Sequence, residues 1–216
     1  YKLIDGKAIS ESIKLEVKMS VRRLYEESSM IPSLSVILVG DDPASSVYVR
    51  NKKSSAINLG MESQIINFPE LVTREELLRQ IQILNQDDNC DGILIQLPLP
   101  AHLDENEILC TIDPQKDVDG LHPQNVGLLS MGAGSLIPAT PAGIREMLLR
   151  SGNDPKGKHV VILGRSNIVG KPLSNLLSQK GRGGDATVTL CHSMTNNLKD
   201  ITKSADILVA AIGIPN

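Results

Sequence analysis

Short apolar runs of strand length alternate with stretches of helical periodicity along this chain, and that alternation leaves few folds open to it. Ser33–Val39 (SLSVILV), Ser63–Phe68 (SQIINF) and Gly92–Leu97 (GILIQL) read as strands. A long first helix is expected before them, because Ile9, Ile13, Val17, Val21 and Leu24 keep helical spacing. Gly40-Asp41-Asp42-Pro43 closes the first strand, and Pro43 can open the next helix at its first turn. Thr73 with Glu76 three residues on is a capping box ahead of Leu77, Leu78, Ile81 and Leu84. Repeated strand–helix units require a parallel sheet with helices on both faces, so the fold class is α/β.

A second alternation begins at Lys158. His159–Leu163, Thr187–Cys191 and Asp206–Ala210 read as strands, with a helix after Gly170. Asn153-Asp154-Pro155-Lys156-Gly157 is the strongest linker signal in the chain. Two domains are therefore expected: residues 1–152, a parallel α/β catalytic domain, and residues 153–216, a Rossmann-like dinucleotide-binding domain. Asp113–Pro141 is rich in Gly, Pro, Asp and His, and is expected to be a long functional loop. Pro141–Arg150 reads as a helix and Gly181–Asp185 as a flexible surface connection.

Composition excludes several classes of function. A net charge of -3 over 216 residues gives no general pull toward nucleic acid or an anionic membrane. One Phe, three Tyr and no Trp are too few for base-stacking platforms. No apolar run approaches the length of a membrane span, and no signal-peptide pattern opens the chain. Cys90, Cys110 and Cys191 form no Cys-x-x-Cys pair, which fits a reducing compartment, and they show no metal-ligand spacing with His102, His122, His159 or His192. No metal is expected.

Tyr48 and Lys52 stand four residues apart in a stretch that reads as helix, so ring and amine share one face. The ring can stack on a flat substrate and the amine can move a proton, work for which lysine suits because burial or a nearby cation tunes an ammonium toward neutrality. A surface helix with a half-buried Tyr and a solvated Lys is the plainer alternative. Gln96-Leu97-Pro98-Leu99-Pro100 leaves the carboxyl end of a strand, where ligands of parallel sheets bind. Gln96 can meet a substrate there or hold the Lys52 amine; a capping amide is its plainer alternative, and the prolines stiffen the loop. Asp117-Val118-Asp119-Gly120 offers two carboxylates that could accept paired hydrogen bonds from an amidine-like edge, such as a pterin. A divalent cation or a simple Asx turn are the other readings.

Gly164-Arg165-Ser166-Asn167-Ile168-Val169-Gly170 joins a strand to a helix, where free backbone N–H groups at a helix start could receive a pyrophosphate. It departs from Gly-x-Gly-x-x-Gly: Ser166 takes the middle position and the last glycine comes one residue late. A tight turn without a ligand remains open. The second strand ends in Cys191-His192-Ser193 without a carboxylate for ribose hydroxyls, and Arg165 can pair with a ribose phosphate, so NADP is favoured over NAD. His192 and Ser193 can add hydrogen bonds. A surface salt bridge is the plainer reading of Arg165.

LIDGKAIS, VGDDPAS-x-x-YVRNK, DGILIQLPLP, KDVDGLHPQNVG, PATPAG, VILGRSNIVGKP, TVTLCHS and ADILVAAIG occur in this order across essentially the whole chain. Together they closely resemble the methylenetetrahydrofolate dehydrogenase/methenyltetrahydrofolate cyclohydrolase family of one-carbon metabolism. The resemblance implies oxidation of methylene-tetrahydrofolate with NADP and hydrolysis of the methenyl product to formyl-tetrahydrofolate. It implies that Tyr48 stacks on the aminobenzoyl ring, that Lys52 is the central acid/base residue, that Gln96 bonds and tunes Lys52, and that Asp119 anchors the pterin. Pro98 falls in the same substrate loop, and Asp117 shapes the loop of Asp119. Arg165, Ser166 and Ser193 match positions that hold cofactor phosphates; Gly164, Ile168, Val169, Gly170 and Pro172 belong to the turn, and Gly213 to the loop after the third strand. A homodimer is implied too, and a bacterial cytoplasm is expected, with an organelle left open.

Family members normally continue past Asn216, so the coenzyme half is expected to be incomplete. That leaves a folate-binding fragment without turnover as the alternative. A short-chain dehydrogenase also uses Tyr-x-x-x-Lys, but there the glycine turn precedes the pair. Shikimate-type dehydrogenases share the domain order and leave Gln96 and Asp119 unexplained.

Overall fold

The structure is a computed structural model that describes residues 3–134 and 136–213. The expected break in the second sheet at Asn216 lies outside the described residues. Among these, contacts divide the chain into two compact units, Lys7–Val118 and a second comprising Asp119 onward with the N-terminal stretch up to Gly6.

The first unit holds α1 (Gly6–Ser28), β1 (Ser33–Val39), α2 (Pro43–Asn58), β2 (Glu62–Phe68), α3 (Arg74–Gln86), β3 (Gly92–Ile95) and α4 (Glu105–Thr111). Its three strands run parallel in the order β2-β1-β3. The apolar runs explain that arrangement. Val36, Ile37, Leu38 and Val39 are buried, as are Ile93, Leu94 and Ile95, so β1 and β3 are covered on both faces. One face packs on Leu77, Ile81 and Leu84 of α3 and Ile108 of α4; the other packs on Val49 of α2. The Thr73–Glu76 capping box is formed as expected. α1 runs where its periodicity puts it, but only Val21 is fully buried on it.

Asp42 caps α2, its carboxylate accepting from Ser45 N at 2.7 Å with Pro43 in the first turn. That backbone hydrogen bond favours the ionised form and holds the Asp42 carboxyl below the usual carboxylate range. A depressed carboxyl contributes stability above its unfolded-state value and loses it as pH falls through the folded value. Asparagine caps equally well without titrating. Asp42→Asn is therefore expected to flatten the acid limb of a melting-temperature profile, read by circular dichroism from pH 6 downward; an unchanged limb would count against it.

The second unit holds α5 (Pro123–Ser130), α6 (Ala139–Arg150), β4 (His159–Leu163), α7 (Gly170–Ser178), β5 (Thr187–Cys191), α8 (Leu198–Lys203) and β6 (Ile207–Ala210). Its strands are parallel in the order β5-β4-β6. Val160, Ile162, Leu173, Leu177 and Leu148 form its core.

Leu148 belongs to α6, which explains why contacts divide the chain at Val118/Asp119 and not at the expected 152/153. The Asn153–Gly157 turn is hydrogen-bonded into the second unit, with Gly157 N donating to Asp185 O at 2.9 Å. The expected long loop contains α5, begun by Pro123 and capped by His122 Nδ1, which accepts from Gln124 N. Gly181–Asp185 is a tight turn in which Gly183 and Gly184 are buried; a Cβ on Gly184 would lie 2.1 Å from Gln179 O.

Candidate functional site

In the first unit, the carboxyl ends of β1 and β3 carry the candidate chemistry. α2 follows β1 and places Tyr48 and Lys52 one turn apart on one face. The Lys52 amine lies 5.7 Å from the centre of the Tyr48 ring, within cation–π reach. Tyr48 is 65% exposed, so the ring is open to a flat partner. Lys52 is half-buried, and its Nζ donates to Gln96 Oε1 at 3.4 Å, a long hydrogen bond.

Gln96 is fixed from two sides. Its backbone N donates to Ile37 O at 2.9 Å, extending the ladder one residue past β3. Its Nε2 donates to Leu97 O at 2.8 Å, which turns Oε1 toward the amine. Leu97–Pro98 is a cis peptide, and Pro98 is exposed. Glu105, at the start of α4, accepts from Leu99 N at 3.1 Å and so steadies this loop. Sequence reasoning missed Glu105, although Asp104 ahead of an acidic first turn is a helix-start signal.

Asp117 is buried and bridges to Ile93 of β3, while Lys116 O accepts from Ile93 N at 2.7 Å. Lys116 Nζ donates to Leu84 O and Asp87 O at the end of α3. The start of the Asp117–Gly120 loop is thereby anchored. Asp119 is half-buried two residues later, and Gly120 has φ +62 with its would-be Cβ 2.9 Å from Leu136 O. Among the described residues no group of three or more His, Cys, Asp or Glu could hold a metal ion, and no helix is long and apolar enough to cross a membrane.

In the second unit, Gly164 and Arg165 line a cavity of about 350 Å³ with Cys191, His192, Ser193 and Ile212. Arg165 and Ser193 are exposed at it. Gly164 has φ +113, and a Cβ there would sit 2.3 Å from Ala211 O; one on Gly170 would sit 2.0 Å from Gly164 O. Only glycine lets the turn close this tightly.

The hydrogen-bond donors are displaced from where the sequence put them. Ser166 Oγ accepts from Val169 N and Gly170 N, and Ser166 O accepts from Lys171 N. Pro172 has no N–H, so the start of α7 is already satisfied. The backbone N–H groups without a partner among the described residues are those of Arg165, Ser166, Asn167 and Ile168, in the turn itself. Ser166 still has its hydroxyl proton to donate. Ile168 and Val169 belong to the turn and lie outside the cavity lining, and Gly213 follows the lining residue Ile212. A cation, unpartnered N–H groups, a glycine-tight turn and no carboxylate after β5 fit a phosphorylated dinucleotide.

Residues 4–119 match the family described as tetrahydrofolate dehydrogenase/cyclohydrolase, catalytic domain, and residues 138–216 match its NAD(P)-binding domain. The chain is 52% identical over 211 residues to the bifunctional protein FolD of Streptococcus agalactiae, spanning 98% of this chain and 73% of that protein. A FolD crystal structure from Campylobacter jejuni superposes with a TM-score of 0.93 at 43% identity, covering 100% of this chain and 75% of the other. The methylenetetrahydrofolate dehydrogenase-cyclohydrolase of Trypanosoma brucei, solved with NADP cofactor and inhibitor, gives 0.92 at 38% identity over 99% and 72%.

Proposed function

Because this chain belongs to the tetrahydrofolate dehydrogenase/cyclohydrolase family, we propose that it oxidises methylene-tetrahydrofolate to methenyl-tetrahydrofolate with NADP and then hydrolyses the methenyl cation to formyl-tetrahydrofolate. The observation that carries this reading is the grouping of Tyr48, Lys52 and Gln96 at the carboxyl ends of β1 and β3.

NADP, when bound, supplies the acceptor for a hydride from the methylene carbon. This chain's residues do the rest. Tyr48 offers its exposed face to the aminobenzoyl ring and sets the folate's position. The methenyl carbon is already electrophilic, so hydrolysis needs a positioned water and a proton acceptor, not a strong base. Lys52 is that acceptor: water adds to the carbon and one of its protons passes to the amine. The bond from that carbon to one folate nitrogen then breaks, that nitrogen takes the remaining hydroxyl proton, and the carbon is left as a formyl group on the other nitrogen. Gln96 Oε1 holds the amine in place. Asp119 accepts from the pterin N–H and amino group. Gly164, Arg165, Ser166, Ser193 and His192 hold the dinucleotide, with the guanidinium on the ribose phosphate. In this reading the protein is a cytoplasmic homodimer.

Mixing the protein with methylene-tetrahydrofolate and either NADP or NAD, and following absorbance of the reduced cofactor, tests the reading. NADP is the expected acceptor; preference for NAD would overturn the cofactor assignment, and no turnover with no folate binding would overturn the reaction. Arg165→Ala removes charge-assisted hydrogen bonds of about 1.5–3 kcal/mol. KM for NADP should rise by roughly ten- to a hundredfold, with KM for NAD little changed. Equal changes for both cofactors would remove Arg165 from the ribose phosphate.

A further inference from the structure

After β5 the chain makes a four-residue turn, His192–Ser193–Met194–Thr195, tied at both ends by one residue. Thr195 Oγ1 accepts from His192 N at 2.8 Å, and Thr195 N donates to His192 O at 2.9 Å. Inside it, Met194 N donates to His192 Nδ1 at 3.2 Å. A backbone N–H can only donate, so Nδ1 must be bare and the neutral ring carries its proton on Nε2. The turn thus fixes the tautomer of a cavity-lining histidine. It also leaves Ser193 exposed, with neither its N–H nor its hydroxyl bonded to another described residue. Ser193 and Arg165 line the same cavity.

We infer that Thr195, which is not among the cavity-lining residues, is a positioning residue for selectivity between phosphorylated and unphosphorylated dinucleotides. This rests on the reading that the cavity takes NADP. Thr195 acts through its neighbours. Its hydroxyl oxygen occupies His192 N and closes the turn, so that the Ser193 N–H, the Ser193 hydroxyl and His192 Nε2–H are presented together as donors. A dianionic phosphate monoester is the group that hydrogen-bond donors lining one cavity with a guanidinium recognise. A bare ribose hydroxyl draws little from the same set, so loosening the turn costs affinity for the phosphate selectively.

Thr195→Val keeps the branched shape and removes the acceptor. The test is calorimetric titration of the intact protein with adenosine 2′,5′-bisphosphate and with adenosine 5′-monophosphate, which lacks the second phosphate. Thr195→Val is expected to weaken the bisphosphate about tenfold and the monophosphate less than about twofold. Thr195→Ser, which retains the hydroxyl, should stay near wild type for both. Equal weakening of both ligands would mean a merely structural turn, and no weakening of either would mean no role; each overturns the inference. Should Thr195→Val not fold, Thr195→Ala removes the same acceptor without the added methyl and is read against the same two ligands. A wild type that does not prefer the bisphosphate would overturn the cofactor reading and this inference together. A wild-type preference that Thr195→Val leaves intact would overturn this inference alone.

Discussion

Replacing Lys52 with methionine is expected to cut hydrolysis of methenyl-tetrahydrofolate by about a hundred- to ten-thousandfold, while folate binding changes only a few-fold. Methionine is a good helix former of similar length, so α2 keeps its register and Tyr48 its exposed ring. What disappears is the nitrogen at 3.4 Å from Gln96 Oε1, the proposed acceptor of the water proton. The Gln96 amide stays where Leu97 O and the Ile37 backbone hold it, so the substrate loop does not collapse with the loss. The rate is read from the decay of methenyl absorbance, and binding from a fluorescence titration with tetrahydrofolate. Hydrolysis that survives the change would remove Lys52 from the chemistry. Loss of binding in a folded variant would make it a substrate anchor instead.

A methyl group at residue 164 should damage the other half of the reaction. Gly164 sits at φ +113, a region that L side chains rarely adopt, and its Cβ would lie 2.3 Å from Ala211 O, a backbone atom that cannot swing away. Ala211 is itself tied to the sheet, its N donating to Leu163 O at 2.8 Å. Backbone strain alone costs about 1–3 kcal/mol, and relief must move the turn that carries Arg165 and Ser166. Gly164→Ala is therefore expected to lower melting temperature by several degrees and to weaken NADP binding at least tenfold, about 1.4 kcal/mol. Hydrolysis of supplied methenyl-tetrahydrofolate should fall much less, because Lys52 and Gln96 lie on the first unit. Unchanged NADP affinity in a differential scanning and titration pair would show that the turn does not hold the dinucleotide.

The parts of this protein that could be read from its sequence are those written in a long repeat or a strong local signal. β1 and β5 run over the residues expected of them, because short runs rich in Val, Ile, Leu and Thr are bounded by turn residues. The capping box at Thr73 and the proline start of α2 are local rules that tertiary packing did not overrule. The α4, α5 and α8 helices escaped because seven, eight and six residues are too few for a 3.6-residue period to show. Asn153–Gly157 looks like a linker locally, but contacts divide the chain earlier, at Val118/Asp119, because that turn is hydrogen-bonded into the second unit. Among site residues, Tyr48, Lys52 and Gln96 met as expected, since i,i+4 geometry and strand ends are sequence-legible. Glu105 and Thr195 were not, because each side chain bonds a backbone N–H, a partner whose residue type does not point back to it.

The two strand orders, β2-β1-β3 and β5-β4-β6, have the same form: in each unit the first strand is central and the next two go to opposite sides. In each unit the chain therefore leaves the central strand toward one edge and then crosses back over it to reach the other, which puts a change of direction beside the central strand's carboxyl end. Gln96 follows β3 at the first such position and Gly164 follows β4 at the second, so both are placed by connectivity and not by the side chains packed beneath them. In the proposed function the two units put the same crossing to different uses, one beside a pterin and the other beside a nucleotide.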